Sequence, residues 1–229
     1  MSSFEGFPKA CLPFLRKLAR NNNRGWFNEH KQDYETCVRE PALNFIEAMQ
    51  PELEKISPHF RAIPKKVGGS LMRVYRDTRF SKDKTPYKTN VGIQFRHALG
   101  KDVHAPGYYV HIAADGCFLG VGLWRPESKM LNKIREFIVD NPNAWKQALQ
   151  SRPFKNAYEL HGESLIRPPR GFQADHPLIE DLKRKDFIAF ADFDAAELEK
   201  TNFPKLAAKT FAKATPFMSY LCMAVDANF

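Results

Sequence analysis

The chain has 229 residues, of which 43% are hydrophobic and 27% are charged, and its formal net charge is +9. This length fits one domain with a sizeable apolar core, and the charged fraction is ordinary for a soluble globular protein. The excess of positive charge leaves phosphate-rich partners open and does not determine the fold.

Several classes of protein are excluded by simple features of the sequence. The four cysteines are far apart and form no C-x-x-C pair, which argues against a zinc finger and a disulfide framework. Residues 1–23 contain no uninterrupted apolar segment, so no signal peptide is predicted. No stretch approaches the roughly 18 consecutive apolar residues of a transmembrane helix. We therefore expect free thiols, a cytoplasmic location and no membrane partner, while the oligomeric state stays open.

Helical periodicity dominates the start of the chain, and strand periodicity follows it. Residues 1–60 repeat apolar side chains every three or four positions and predict a helical section. Residues 68–124 alternate between apolar and polar side chains and predict the main β section. Residues 126–229 mix both patterns and are expected to complete the core. The prediction is one α+β domain over residues 1–229, with N-terminal helices, a central, mostly antiparallel sheet and further helices on one face.

Two alternating segments flank a basic stretch in the β section. Leu71–Arg76 places Arg73 and Tyr75 on the face opposite to Met72, and Thr89–His97 alternates in the same way. We expect both segments to be strands of one sheet. About a dozen residues connect them, and a loop of that length is more often functional than a simple connection.

A hairpin is predicted further along the chain. Asp115-Gly116 is a two-residue turn signal between the alternating runs GYYVHIAA and CFLGVGLW. This turn builds one uniformly apolar face, and on the other face it pairs His111 with Gly120 and Tyr109 with Gly122. A histidine and a tyrosine that face glycines have open space across from them, which suits either a ligand or a packed helix.

The positive charge of the chain is concentrated beside these strands. The stretch RVYRDTRFSKDKTPYKT, residues 73–89, holds six basic residues and two acids. Residues 65–101 hold ten basic residues and the same two acids, a charge of +8 that leaves the remaining chain nearly neutral. A positive field this concentrated needs an anion, which comes from the protein itself or from a ligand.

Three interpretations of this basic loop stay open. In the first, Asp77 and Asp83 pair with Arg79 and with Lys82 or Lys84, and these ion pairs only hold the loop in place. In the second, the loop is a solvated run of charge. In the third, its arginines and lysines converge on a phosphate or carboxylate, because arginine supplies a bidentate fork and lysine a point charge.

The favoured function is binding of a small anionic or phosphorylated ligand between the basic loop and the glycine-containing face of the hairpin. The candidate ligand-binding residues are cations and aromatic side chains: Arg73, Tyr75, Arg76, Arg79, Lys82, Lys84, Tyr87, Lys88, Trp124 and Arg125. If the protein is an enzyme, His111 is the candidate general acid or base, since its ordinary pKa is near neutral. Tyr109 then orients His111, and Asp77 orients Arg79 or Arg76.

Two other functions compete with ligand binding. Tyr75, Phe80 and Tyr87 interleave the basic residues and can stack on bases, so a nucleic-acid-binding module is the main alternative. The other alternative is a non-catalytic scaffold whose charges are satisfied internally.

Familiar catalytic and metal-binding motifs are absent from the sequence. It has no phosphate loop, no dinucleotide fingerprint, no H-E-x-x-H and no G-x-S-x-G. Only His97, His104 and His111 share one neighbourhood, and they lack close metal-ligand spacing. We therefore expect neither a metal nor another cofactor.

Four ordered segments of the chain are distinctive together: NNNRGWFNEHKQDYE, MRVYRDTRFSKDKTPYKTN, GYYVHIAADGCFLGVGLWRPE and IRPPRGFQADHPLIEDLKRKDF. With these segments the chain resembles the domain of unknown function 2461 family, whose members are bacterial and fungal proteins of about this size. The resemblance covers nearly the whole chain. It implies no particular activity, cofactor or catalytic residue.

Overall fold

The computed structural model of the protein describes residues 4–99 and 105–229. Lys101 and His104, which entered the charge count and the histidine comparison above, lie outside these residues. Within the described ranges, no helix combines the length and the apolar character that crossing a lipid bilayer requires.

Helices fill the N-terminal section, as predicted. Its elements are α1 (Cys11–Arg20), α2 (Arg24–Glu29), α3 (Lys31–Tyr34), a π-helical turn (Glu35–Arg39) and α4 (Glu40–Glu54). Three- and four-residue spacing buries Phe14, Leu15 and Leu18 on one side of α1. Asn23 caps α2, because its side-chain oxygen accepts the backbone N–H of Trp26 at 3.0 Å.

The described residues contain a six-stranded antiparallel sheet, which confirms the predicted α+β class. Its strands are β1 (Phe60–Arg61), β2 (Asn90–His97), β3 (Gly107–Ala113), β4 (Gly116–Leu123), β5 (Glu159–His161) and β6 (Phe187–Asp192). They lie in the order β1-β2-β3-β4-β6-β5. The first four strands follow one another along the sheet, whereas β6 pairs with β4 across a long intervening segment.

Helices from both ends of the chain pack against the sheet. The later helical elements are α5 (Ser128–Asp140), α6 (Pro142–Gln150), α7 (Arg152–Lys155), α8 (Ile179–Leu182), a 3-10 helix (Ala195–Glu199), α9 (Phe203–Ala212) and α10 (Thr215–Ala224). Phe45 of α4 stacks on Phe203 of α9 with ring centroids 5.0 Å apart, and it also contacts Phe95 of β2. Trp145 of α6 lies edge-on to Phe187 of β6. The buried core is therefore shared by the sheet and by helices from both sections.

Strand register separates the sheet side chains into two sets. Val110 lies opposite Ile93 and Leu119, and all three are fully buried among the helices. The alternate positions face the other way and form what we call the cavity face: Gly92, Gln94, Gly107, Tyr109, His111, Phe118, Gly120, Gly122, Ile188 and Phe190.

The hairpin turns one residue earlier than the sequence predicted. His111 lies opposite Phe118 rather than Gly120, and Tyr109 lies opposite Gly120 rather than Gly122. Each pairing moves by two positions along β4, so every side chain keeps its predicted face. The open space expected on β4 across from His111 is therefore filled by the ring of Phe118. Tyr109 faces Gly120 on β4, and His111 faces a glycine only on the other side, Gly92 of β2.

The turn conformation explains this difference. An Asp-Gly pair favours a type I′ turn, in which both central residues have positive φ. None of Ala114, Asp115 and Gly116 has a positive φ. The freedom of the glycine is not used, and the strands close around Ala114 and Asp115 instead.

Leu71–Arg76 is not the continuous strand that its alternation predicted. Leu71 bridges Ile93 of β2 and Tyr75 bridges Tyr87, each as an isolated pair. Between these bridges the segment turns away from β2. The segment therefore joins β2 only around Leu71, where the N–H of Met72 donates to the carbonyl of Gly92 and the N–H of Gln94 donates to the carbonyl of Ser70.

Backbone hydrogen bonds account for the interruption. The N–H of Lys88 donates to the carbonyl of Val74 at 2.7 Å, and the N–H of Arg76 donates to the carbonyl of Pro86 at 2.9 Å. The segment thus pairs with the far end of the basic loop rather than continuing along β2. Val74 is buried in the core as a result.

Candidate functional site

A cavity of about 480 Å³ lies over the cavity face of the sheet. Its volume falls within the range of roughly 300–1,000 Å³ that is usual for small-molecule sites. Strands β2, β3, β4 and β6 supply its base, and Met72, Lys88 and Trp124 stand at its margin. Concave sites of this kind are the natural place to look for a ligand.

Glycines form the floor of the cavity. Gly107 and Gly122 lie opposite each other on β3 and β4, and Gly120 is two residues before Gly122 on the same face. Gly122 has a φ of +117°, and a Cβ there would lie 2.0 Å from the carbonyl oxygen of Phe187. The backbone therefore requires glycine at that position.

Aromatic rings form much of the wall. His111, Phe118 and Phe190 stack in sequence, with centroids 4.5 Å and 4.3 Å apart and interplanar angles of 9° and 26°. His161 of β5 continues the stack on Phe190 at 4.5 Å. These rings come from four strands, so the row depends on the register of the whole sheet.

His111 is held by polar neighbours at one edge of its ring. The hydroxyl of Tyr109 lies 3.2 Å from its Nδ1, and the amide nitrogen of Asn90, which can only donate, lies 3.5 Å from the same atom. With Nδ1 accepting, the ring proton lies on Nε2. Burial lowers the pKa of His111, against a smaller opposing effect of Asp115, and burial raises the pKa of Tyr109 to about 12. The pair is therefore neutral near pH 7.

Lys88 brings a positive charge to the margin of the cavity. Within the described residues, its ammonium group has neither an ion pair nor a hydrogen-bond partner. Burial lowers its pKa, and the nearby charge of Arg73 lowers it further. Gln94 also lines the cavity, and its side-chain amide has no hydrogen-bond partner in the described part of the chain.

Trp124 and Arg125 lie where β4 leaves the cavity. The indole of Trp124 is 48% exposed, and the guanidinium carbon of Arg125 lies 5.0 Å from its ring centroid. Arg125 has a φ of 47°, which is rare for a residue with a side chain. The buried carboxylate of Asp186 holds this junction by accepting the backbone N–H of Arg125 at 2.8 Å.

The predicted site residues do not all meet in one place. Lys88, Tyr109, His111 and Trp124 line the cavity just described. A second cavity of about 310 Å³ is lined by Tyr75, Arg76 and Tyr87 together with residues that the sequence did not single out: Arg24, Asn28, Thr78 and Pro86. Arg73 borders a further depression that shares Met72 and Gln94 with the first cavity.

The acids of the basic loop neutralise two of its arginines. Asp77 pairs with Arg79 through two bonds, at 3.0 Å and 2.7 Å, as the first interpretation of the loop predicted. Asp83 pairs with Arg76 rather than with either lysine named in that interpretation. Asp77 is therefore on the loop surface and does not line the cavity beside His111.

These ion pairs change the acidity of both carboxyl groups. Hydrogen bonds from Arg79 lower the pKa of Asp77 to about 2, and hydrogen bonds from Arg76 and Thr85 lower that of Asp83 to about 2. Lys84 donates to the carbonyl of Thr78 at 2.9 Å. Many of the polar side chains of the loop thus form ion pairs and hydrogen bonds with other residues of the same loop.

His97 is engaged on both ring nitrogens. Its Nε2 donates to the carbonyl of Asn228 at 2.7 Å, and its Nδ1 accepts the backbone N–H of Leu99 at 3.2 Å. Within the described residues, no group of three or more His, Cys, Asp or Glu side chains is arranged to hold a metal ion. His97 is therefore a structural link to the C-terminal segment.

The sequence reasoning missed part of the wall. Ile188 and Phe190 belong to β6, and only the pairing of β6 with β4 brings them to the cavity. The run FIAFADF predicts a strand but carries no signal for its neighbour in the sheet. Met72 was assigned to the wrong side because its segment was taken as a regular strand.

One comparison with known proteins gives a match. The family model described as "Conserved hypothetical protein (DUF2461)" matches residues 10–220. No curated protein and no solved structure shows a significant match to the chain. The match includes every strand of the sheet and all the residues that line the cavity.

Proposed function

The chain belongs to the DUF2461 family of conserved hypothetical proteins, and we propose that it binds a small organic anion in the cavity over the cavity face of the sheet. The acidic group of the ligand lies against Lys88, and the rest of the ligand occupies the space above the glycine floor. The sequence predicted a ligand between the whole basic loop and the hairpin face, whereas the cavity takes only Lys88, at the base of the loop, together with that face.

The unpaired ammonium of Lys88 is the observation that carries the proposal. A partly buried charge without a partner is costly, because it has lost water and gained no compensating interaction. Lys88 has no ion pair within the described residues, whereas Arg76 and Arg79 in the same loop are both paired. A ligand carboxylate or phosphate supplies the missing partner.

Neutral hydrogen-bonding groups support the same ligand. The amide of Gln94 can donate to a second oxygen of an acidic group, and His111 carries a ring N–H at the cavity wall. Both neighbours are uncharged near pH 7. They can orient an anion without competing with Lys88 for its charge.

Replacing Lys88 tests the proposal directly. A thermal-shift panel of monocarboxylates, dicarboxylates, inorganic phosphate, sugar phosphates and nucleotides is expected to contain ligands that raise the Tm of the wild-type protein. Lys88→Met keeps the apolar stem and removes the charge, so affinity is expected to fall by roughly 10- to 100-fold, the equivalent of a charged hydrogen bond.

The matched control is Lys146→Met, which removes an exposed lysine from α6. It is expected to bind the same ligands with unchanged affinity. If no compound shifts the Tm, or if Lys88→Met binds as tightly as the wild-type protein, the cavity is not an anion site.

The affinity for an anion is also expected to fall at alkaline pH. The pKa of Lys88 is lowered from its usual 10.5, so its charge is lost at a lower pH than that of an ordinary lysine. Affinity for a carboxylate is therefore expected to be constant near neutral pH and to fall as the pH rises through the pKa of Lys88. Titration calorimetry across this range checks the sign, and affinity that rises with pH contradicts the role of Lys88.

A further inference from the structure

The floor of the cavity consists largely of backbone. Gly107, Gly120 and Gly122 are neighbours on β3 and β4, so peptide groups rather than side chains form the surface there. Gly122 is required by its backbone conformation, and a Cβ on Gly107 would lie 3.1 Å from the carbonyl oxygen of Phe95. Two of the three glycines thus have a local structural reason.

Gly120 lacks such a reason. Its φ is not positive, and a Cβ there would meet the ring of Phe190 and the Cβ of Tyr109 at 3.4 Å, an ordinary contact distance. Glycine inside a strand is nevertheless less stable than alanine by roughly 0.5–1 kcal/mol. A methyl group would fit there in contact with both aromatic side chains, and without it the backbone of Gly120 itself lines the cavity.

The walls around this floor are largely aromatic. Tyr109 lies to one side of Gly120 and Phe190 to the other, and Phe118 stacks on Phe190. Trp124 stands half-exposed at the margin. Aromatic rings beside a floor without side chains favour a thin, planar body, since aromatic pairs attract one another in offset-stacked and edge-to-face arrangements.

The charge of the residues that line the cavity also limits the number of acidic groups on the ligand. Lys88 is the single charged side chain among the described residues that line the cavity, and no carboxylate lines it. One acidic group on a ligand can be neutralised there. A second one would lie unpaired against apolar rings, which is strongly unfavourable.

From these features we infer that the ligand is an aromatic monocarboxylate, with its carboxylate at Lys88 and its ring over Gly120. This inference rests on the proposed function and narrows it. Sugar phosphates, aliphatic diacids and nucleoside triphosphates share the negative charge, but they lack either the planar body or the single charge.

Matched probes test the inference by isothermal titration calorimetry on the full chain. Naphthoate is the reference, decahydronaphthoate has the same carboxylate on a saturated and thicker body, and naphthalene dicarboxylate adds a second charge. Naphthoate is expected to bind about fivefold tighter than its saturated analogue, which is the usual value of one aromatic contact. The dicarboxylate is expected to bind more than about tenfold weaker than naphthoate.

Gly120→Ala tests where the ring lies. The new methyl group raises the floor without a backbone clash, so the protein is expected to fold and its affinity for naphthoate to fall about tenfold. Gly116→Ala is the control on the same strand, because a Cβ there meets nothing within 4 Å and Gly116 does not line the cavity. Equal affinities of these two variants overturn the placement of the ring.

The outcomes separate this inference from the proposed function. If decahydronaphthoate or a sugar phosphate binds as tightly as naphthoate and depends on Lys88, the aromatic inference fails and the anion site stands. If no anion of either series binds, the proposed function fails and the inference fails with it.

Discussion

At the residue scale, the most informative positions are polar groups whose partners are fixed by the fold. Asp186 is 2% exposed and sits beneath the junction that carries Trp124. Its two oxygens accept the backbone N–H groups of Arg125 and Glu163 at 2.8 Å and 3.0 Å. One side chain thus connects the end of β4 with the segment after β5.

Removing Asp186 is expected to destabilise the protein. Asp186→Ala leaves two backbone donors without their acceptors and should lower the free energy of unfolding by about 1–3 kcal/mol. Urea denaturation followed by circular dichroism measures this change. Asp192→Ala removes an exposed acid from the end of β6, the strand that begins directly after Asp186, and is expected to be nearly neutral. Equal midpoints for the two variants would contradict the anchoring role of Asp186.

At the element scale, the sequence predicted the positions of the strands more accurately than the pairing between them. Period-two patterning identified β2, β3 and β4 and the faces of their side chains, because burial of one face enforces that pattern. The hairpin turn and the segment Leu71–Arg76 were predicted less well. Both depend on backbone conformation and on hydrogen bonds to distant residues, which side-chain patterning does not encode.

The residues of the candidate site were likewise predicted well within one hairpin and less well between distant segments. His111, Tyr109 and Trp124 were placed correctly together because they belong to one hairpin, where local periodicity determines the face. Arg73 and Tyr75 were placed with them by assuming that a neighbouring strand continued, and neither lines this cavity. The wall from β6 required knowledge of strand order, which is a long-range property of the chain.

The basic loop is expected to loosen in acid. Its two carboxyl groups have pKa values lowered to about 2 from 3.8, so their ion pairs stabilise the loop fully above pH 3.8. This stabilisation is lost as the pH falls from 3.8 towards 2, when Asp77 and Asp83 become protonated. Carboxyl NMR titrations should give midpoints near 2, and midpoints near 3.8 would show that the ion pairs do not form.

At the scale of the whole molecule, the buried core joins residues from all three sections of the chain. It includes Phe7 and Phe45 from the helical section, Val110 from the β section, and Phe187 and Phe217 from the mixed section. We therefore propose that residues 1–229 unfold as one cooperative unit.

The three tryptophans allow a direct test of this unit. Trp26, Trp124 and Trp145 lie in the helical, β and mixed sections respectively, and the chain has no others. Variants that keep one tryptophan and replace the other two with phenylalanine report on one section each. Within each such variant, tryptophan fluorescence and far-UV circular dichroism are expected to give the same urea midpoint. A separate unfolding transition in the variant that keeps Trp26 would show that the helical section unfolds independently of the rest of the chain.

The closed base of the basic loop has a consequence for engineering. Backbone bonds between Val74 and Lys88 and between Arg76 and Pro86 fasten the loop below its tip, while Phe80 at the tip is 96% exposed. Additional residues inserted beside Phe80 would extend into solvent without transmitting strain to the sheet. The tip is thus a natural attachment point for a grafted epitope or a fluorescent label on an otherwise unaltered molecule.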